Sequence, residues 1–177
     1  MRYGAKRLAE ILDAHAKFIR GDSSGKRADL SGANLAGGNL HGANLAYALL
    51  RGANLEKADL GEANLGGADL HAAKMRRADL RRADLTETNL AGADLTEAQL
   101  GGVECFRADL SGAVLRGASL RVANLRSTNI RGADLRGADM TAAVLRETDL
   151  DGVDLTGLDL STALMPRGWN AAATAKK

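Results

Sequence analysis

Residues 31–50 read SGANLAGGNLHGANLAYALL, with Leu at 35, 40, 45 and 50 and Ala two residues before three of these four. The pattern holds far beyond this stretch. Every fifth position from Leu30 to Met165 is apolar, giving 28 units without a slip in register. Leu fills that position except at Met75, Cys105, Ile130, Met140 and Met165. Ala stands two residues before it except at Gly38, Thr88, Val103, Thr128, Thr148, Val153 and Leu158.

A period of five excludes the two simplest elements. On an α-helix, five residues advance about 500°, so the leucines would spiral around the axis and share no face. On a straight strand, side chains alternate with period two. Ala and Leu of one unit would share a face, and the next unit would face the other way. The pattern is consistent only if the chain turns a corner in every unit. Each unit is then a short strand piece, Ala-x-Leu, with both side chains inward, followed by a two-residue turn. Thirteen units carry Gly at the second turn position, which suits a positive φ. The rest carry residues such as Lys57, Arg77 and Glu87, which predicts a mixture of turn types. A chain that keeps turning stacks into a solenoid, each coil pairing its backbone with the coils beside it. The expectation is an all-β solenoid with Leu along the axis and Ala on a tight inner wall.

Composition agrees. The 177 residues are 45% hydrophobic but only 3% aromatic, with 21 Gly and one Pro. So few aromatics do not make an ordinary globular core. So much Gly with so little Pro means many similar turns. Lys and Arg number 24 against 22 Asp and Glu, so net charge carries no demand for nucleic acid or an anionic membrane. Cys105 is the only cysteine, so no intrachain disulfide is possible. No run approaches a membrane span, and Glu10 and Asp13 interrupt the apolar pattern near the start. A cytoplasmic location is the expectation.

The A(D/N)Lxx unit, as in ADLSGANL, ADLRRADL and ADLRGADM, resembles the pentapeptide-repeat family over residues 26–165. The resemblance implies a right-handed quadrilateral parallel β-helix, four units to a coil. Twenty-eight units then give about seven coils and a rod roughly 34 Å long at the usual strand spacing. Thr88, Thr128 and Thr148 lie 40 and 20 residues apart, on one side of such a coil.

The expected domain order is an N-terminal capping helix and linker over 1–25, the β-helix over 26–165, and a tail over 166–177. Leu8, Ile11, Leu12, His15, Phe18 and Ile19 follow helical spacing, with Gly21 as a stop, which predicts an amphipathic helix over 3–20 on the first coil. An organelle transit peptide is the rival reading, and the acidic residues argue against it. Past Pro166, Trp169 covers the last coil or forms an end contact or dimer contact, so the chain is a monomer or an end-to-end homodimer.

No catalytic constellation, cofactor site or metal site emerges, and no enzyme is expected. His15 reads as a satisfied side chain on the helix's apolar face. His41 and His71 fall on opposite sides of the rod, which excludes a shared metal. Cys105 reads as a small buried hydrophobe. The carboxylates preceding the central Leu are set by the repeat. Two outward surfaces are candidates for interaction. One is a basic patch of Lys74, Arg76, Arg77, Arg81 and Arg82. The other is an acidic face with Asp29, Asp69, Asp109 and Asp149. Arg116, Arg121, Arg126, Arg131 and Arg136 step around the rod as a girdle.

The favoured role is a non-enzymatic scaffold for an unidentified protein partner. The resemblance also implies an alternative, a DNA-mimic inhibitor or protector of DNA gyrase of the fluoroquinolone-resistance type. Mimicry needs sustained negative charge, since duplex DNA carries one charge per about 1.7 Å. The basic patch interrupts any such surface, so gyrase ranks second. Nucleic acid ranks lower, because no aromatics interleave the patch.

Overall fold

A computed structural model describes residues 5–169. One helix, α1 (Ala5–Ile19), precedes a stack of parallel bridges. Each outward residue of the central Ala-x-Leu triplet, from Asp29 to Asn124, bridges the residue twenty positions later. A turn every five residues and a bridge every twenty make each coil four-sided. Each face is one triplet wide, so the sheet consists of single bridges and not of long strands.

The ladder uses three backbone bonds per unit. Leu30 N donates to Leu49 O at 2.7 Å, Gly32 N donates to Arg51 O at 2.8 Å, and Asn54 N donates to Ala33 O at 2.8 Å. The same trio recurs up the rod. Inside it, Leu30 and Leu45 through Leu70 are fully buried, as are the inward alanines Ala48, Ala53, Ala58, Ala63 and Ala68. Burying each Leu contributes about 1.5–3 kcal/mol of transfer free energy. The three inner threonines share one corner, as the spacing predicts. Each hydroxyl donates to a carbonyl of the coil before it: Thr88 to Leu65 at 2.8 Å, Thr128 to Cys105 at 2.6 Å, and Thr148 to Leu125. A hydroxyl is tolerated on an apolar wall because it is satisfied there.

The corners are uniform, which corrects the expectation of mixed turns. The second turn position has φ between +55° and +78° in every unit from residue 32 to residue 157, whether or not it is Gly. The reason is the ladder. As far as Ser127 each corner N–H donates to the coil beside it, and in every unit a closing bond such as Ala33 N to Leu30 O at 3.0 Å holds the turn. A second device acts on the same corner. At every Asp or Asn of the A(D/N)L motif, from Asp29 to Asp159, the side-chain Oδ1 accepts the N–H two residues on, as Ser31 N does to Asp29 at 3.0 Å and Ser161 N to Asp159 at 3.0 Å. This Asx turn explains why Asp or Asn fills the position in 20 of the 28 units.

Helix α1 ends as expected. Gly21 adopts φ +75°, and Asp22 N and Gly21 N donate to Lys17 O and Phe18 O, each at 3.0 Å, a Schellman motif. The chain then doubles back against the helix. A β-carbon at Gly25 would sit 2.1 Å from Phe18 N, so only Gly fits. Leu8, Ile11 and Leu12 pack on the core at the first coil. The part of the expected helix at residues 3–4 lies outside the described residues.

The other end departs from an unbroken ladder. Val144 bridges Leu164, so the twenty-residue register persists. Among the described residues, the bridges expected for Asn129–Asp149, Asp134–Asp154 and Asp139–Asp159 do not form. The last coil therefore lacks backbone bridges to its neighbour on three faces, although Thr148 and Arg131 still reach across one of them. Val153 and Leu158 replace Ala on its inner wall, above Ala133 and Ala138, and each of those alanines is 7% exposed. Val103 shows the milder effect mid-rod, where Glu104 N reaches Ala83 O at 3.1 Å against 2.9 Å for Asp84 N to Ala63 O. Asp154 over Asp134 and Asp159 over Asp139 add like-charge repulsion.

Val122 is the β-branched residue forced to positive φ, at +58°, and its side chain is largely exposed. Val122→Gly should therefore raise unfolding free energy by about 1 kcal/mol, strain relief exceeding the added freedom of the unfolded chain. Gly112→Val should lower it by about 1–2 kcal/mol, although nothing lies within 4 Å of a β-carbon there. Denaturant titration of both variants checks the pair. Unchanged midpoints would show that the corners tolerate either backbone.

Candidate functional site

The outward side chains form a lattice, and its geometry redraws both candidate surfaces. Where Arg follows the central Leu, it commonly reaches up one coil. Arg51 meets Asp69 at 2.9 Å, eighteen residues on, and Arg121 meets Asp139 at 3.1 Å. Arg76–Asp94, Arg116–Asp134 and Arg131–Asp149 repeat that step. Residues at the left-handed turn position pair instead with the same corner one coil away: Arg77 with Glu97 at 2.6 Å, Arg82 with Glu62 at 3.8 Å, and Arg107 with Glu87 at 3.8 Å.

Within the predicted basic patch, Arg76, Arg77, Arg81 and Arg82 all take part in such pairs, Arg81 with Asp79 at 2.5 Å. Four of the five predicted side chains therefore face a carboxylate. Each pair is solvent-exposed, so its contribution to stability is small. Its effect is to flatten the electrostatic potential.

On the predicted acidic face, Asp29, Asp69 and Asp109 stack in one column with Leu49, Asn89 and Asn129, and Asp149 follows in register without bridging Asn129. Asn89 Nδ2 donates to Asp69 Oδ1 at 3.2 Å, and Asn129 Nδ2 donates to Asp109 Oδ1 at 2.9 Å. Alternating Asn thus separates the charges. Asp69 and Asp149 also hold Arg51 and Arg131. The girdle behaves in the same way, with Arg126 on Glu147 at 2.9 Å and Arg136 on Asp134 at 2.7 Å. Pairing with Arg136 and Arg116 holds the Asp134 carboxyl well below the usual range. Bonds from Thr141 and Arg121 bring Asp139 down to about 2.

The three histidines lie apart. His41 Nδ1 approaches Asp59 Oδ1 at 3.4 Å. The His71 backbone N–H bonds Asp69 at 3.2 Å in its own turn. Among the described residues no group of His, Cys, Asp and Glu could hold a metal ion. Cys105 is buried, and burial pushes its thiol far above the usual value, as expected of a packing residue. Trp169 packs partly buried on the last coil, with Nε1 buried and unbonded among the described residues.

His15 corrects the expectation of a satisfied side chain. It is fully buried between α1 and the first coil, its Nδ1 accepts from Ala28 N at 3.1 Å, and its Nε2 lies near the Ala46 backbone without a close hydrogen bond among the described residues. Phe18 stacks on it at 5.8 Å between centroids. Burial, with Arg27 nearby, lowers its pKa below the usual imidazole value.

The pentapeptide-repeats family model matches residues 26–61, 63–102, 104–141 and 131–165, in eight copies. The chain belongs to the pentapeptide-repeat family. Proteins of this family fold as right-handed β-helices, and two solved structures share the fold. Rfr23, a pentapeptide-repeat protein from the cyanobacterium Cyanothece 51142, is 30% identical over 63% of this chain and 84% of its own, with a TM-score of 0.51. A trypsin-treated variant of QnrB1, a plasmid-mediated fluoroquinolone resistance protein, is 20% identical over 85% of this chain and 86% of its own, with a TM-score of 0.52. At that identity the second likeness concerns the fold alone. No curated protein matches the chain. No helix among the described residues is long and apolar enough to cross a membrane.

His15 generates a pH prediction. The native state favours the neutral ring, because a proton on Nδ1 would remove the bond from Ala28 and bury a charge beside Arg27. Its contribution is therefore present above the ordinary value of about 6.5 and is lost as pH falls below it. The depressed aspartates act only at lower pH, losing their contribution below about 4. Unfolding titrations at pH 7.5 and 5.5 should show a loss in the native protein that His15→Gln lacks. Equal losses in both would place the titrating group elsewhere.

Proposed function

We propose that the chain is a non-enzymatic pentapeptide-repeat scaffold that binds a protein partner through the flat faces of its β-helix. Residues 1–25 then serve as the cap, 26–165 as the binding rod, and 166–177 as the tail. One observation carries this reading. The carboxylates that dominate the motif are engaged in their own turns and in the coil-to-coil ion pairs, as Asp69 is with His71 N at 3.2 Å and with Arg51 at 2.9 Å. What remains outward is a flat, charge-matched surface of fixed spacing, suited to recognition. The faces bearing Lys74 to Arg82 and Asp29 to Asp149 are the surfaces proposed for contact, with Trp169 at the end of the rod.

Gyrase binding by DNA mimicry is the weaker reading. Asn between the aspartates, and Arg against them, break up the negative charge along the column from Asp29 to Asp149. A partner shaped for DNA would also meet Lys74, which among the described residues makes no ion pair. The purified protein should leave gyrase supercoiling unchanged in a titration where a dedicated DNA mimic inhibits. Affinity capture should retain one defined protein that Lys74→Glu with Arg76→Glu, or Asp29→Lys with Asp109→Lys, releases. Inhibition of supercoiling would move the function to gyrase. A captured protein indifferent to both double variants would move the contact off these faces.

A further inference from the structure

The arginine-to-aspartate step of eighteen residues is missing where Gly61, Gly66, Ala91 and Thr141 stand before Asp79, Asp84, Asp109 and Asp159. Both Gly61 and Gly66 line clefts, but Asp79 is met by Arg81, whereas Asp84 is not met among the described residues. The position eighteen before Asp84 is Gly66, where Asp69, Asp94, Asp134, Asp139 and Asp149 have an Arg. A β-carbon at residue 66 would lie 3.8 Å from Asp84 Oδ2, so an arginine there would be well placed to reach it. Asp84 accepts the Thr86 N–H at 2.9 Å and makes no ion pair among the described residues.

The gap left by Gly66 is part of a half-open cleft of about 500 Å³ between the end of α1 and the side of the rod. Phe18 and Tyr47 line it, 38% and 59% exposed, and they are two of the few large apolar side chains the molecule exposes. The Tyr47 ring lies on the next coil, where a β-carbon at Gly67 would approach it to 2.7 Å. Two consecutive glycines thus seat an aromatic ring beside an unmatched carboxylate. Glu87, the other acid in the cleft, is met by Arg107 at 3.8 Å, and among the described residues no basic side chain lines the cleft, Arg27 donating to the Tyr47 carbonyl beside it.

We infer that this cleft receives an arginine side chain from a peptide segment of the partner, its guanidinium on Asp84 and its flat face on Tyr47. The borrowed arginine completes the lattice where the chain's own is missing. A guanidinium suits the place because it pairs with a carboxylate edge-on and stacks on an aromatic face. The assignment deepens the scaffold reading and rests on it.

The test uses the full-length, isotopically labelled protein and two short peptides, acetyl-Gly-Arg-Gly-amide and its neutral citrulline analogue. The arginine peptide should shift the Gly66 and Gly67 amide resonances saturably, and citrulline should bind roughly tenfold more weakly. Tyr47→Gly, which places the commonest residue at a left-handed corner, should abolish the shifts without loss of stability. Gly66→Arg should fill the site from within and also abolish them. No saturable shift, equal binding of the two peptides, or undiminished binding to Gly66→Arg would overturn the assignment. Capture of a partner equally well by Gly66→Arg would overturn the site and leave the scaffold reading standing.

Discussion

One left-handed residue every five positions is the constraint on which the structure depends. It turns the chain through a corner, and four corners return the backbone to a point one strand spacing further along the rod. The coil-to-coil bonds hold each corner so firmly that thirteen residues other than Gly accept a positive φ. The Asx bond of the preceding Asp or Asn pins the same turn. Once the corners are fixed, the inner wall has room for Ala and the axis for Leu. Outward residues then stack on residues twenty away. The lattice of ion pairs follows from that stacking and needs no further cause.

Much of this was legible in the sequence, because a period of five is compatible with neither helix nor strand. The helix over the first coil was legible from Leu8, Ile11 and Leu12, and its end from Gly21. The uniformity of the corners was not. Local preference separates Gly32 from Val122, whereas the backbone bonds that override preference come from neighbouring coils and leave no mark in a single unit. The last coil was half legible. Val153 and Leu158 signalled a wider inner wall, but the loss of bridges on three faces depends on their stacking above Ala133 and Ala138.

The surface was harder to read. Of Lys74, Arg76, Arg77, Arg81 and Arg82, the four arginines have their charge matched by Asp94, Glu97, Asp79 and Glu62. Those partners are two to twenty residues away along the chain, and most become visible only when the sequence is written in rows of twenty. The same rows would have revealed Gly66 opposite Asp84. They would not have placed Phe18 against that gap, because the seat of α1 is set by tertiary packing. His15 was placed correctly on the apolar face, but the lack of a close hydrogen bond at its Nε2 among the described residues is a property of the assembled contact.

Hydrogen exchange resolved by residue tests the ladder most directly. The amides of Leu55, Leu60 and Leu65 bond the next coil at 2.7–2.8 Å. Those of Ile130, Leu135 and Met140 occupy the equivalent place beneath the last coil and have no backbone acceptor among the described residues. Coil-to-coil bonding as the source of order predicts slow, concerted exchange for the first three and exchange faster by orders of magnitude for the second three. Equal protection of both sets would contradict the account. It would mean that core packing, and not the ladder, holds the coils.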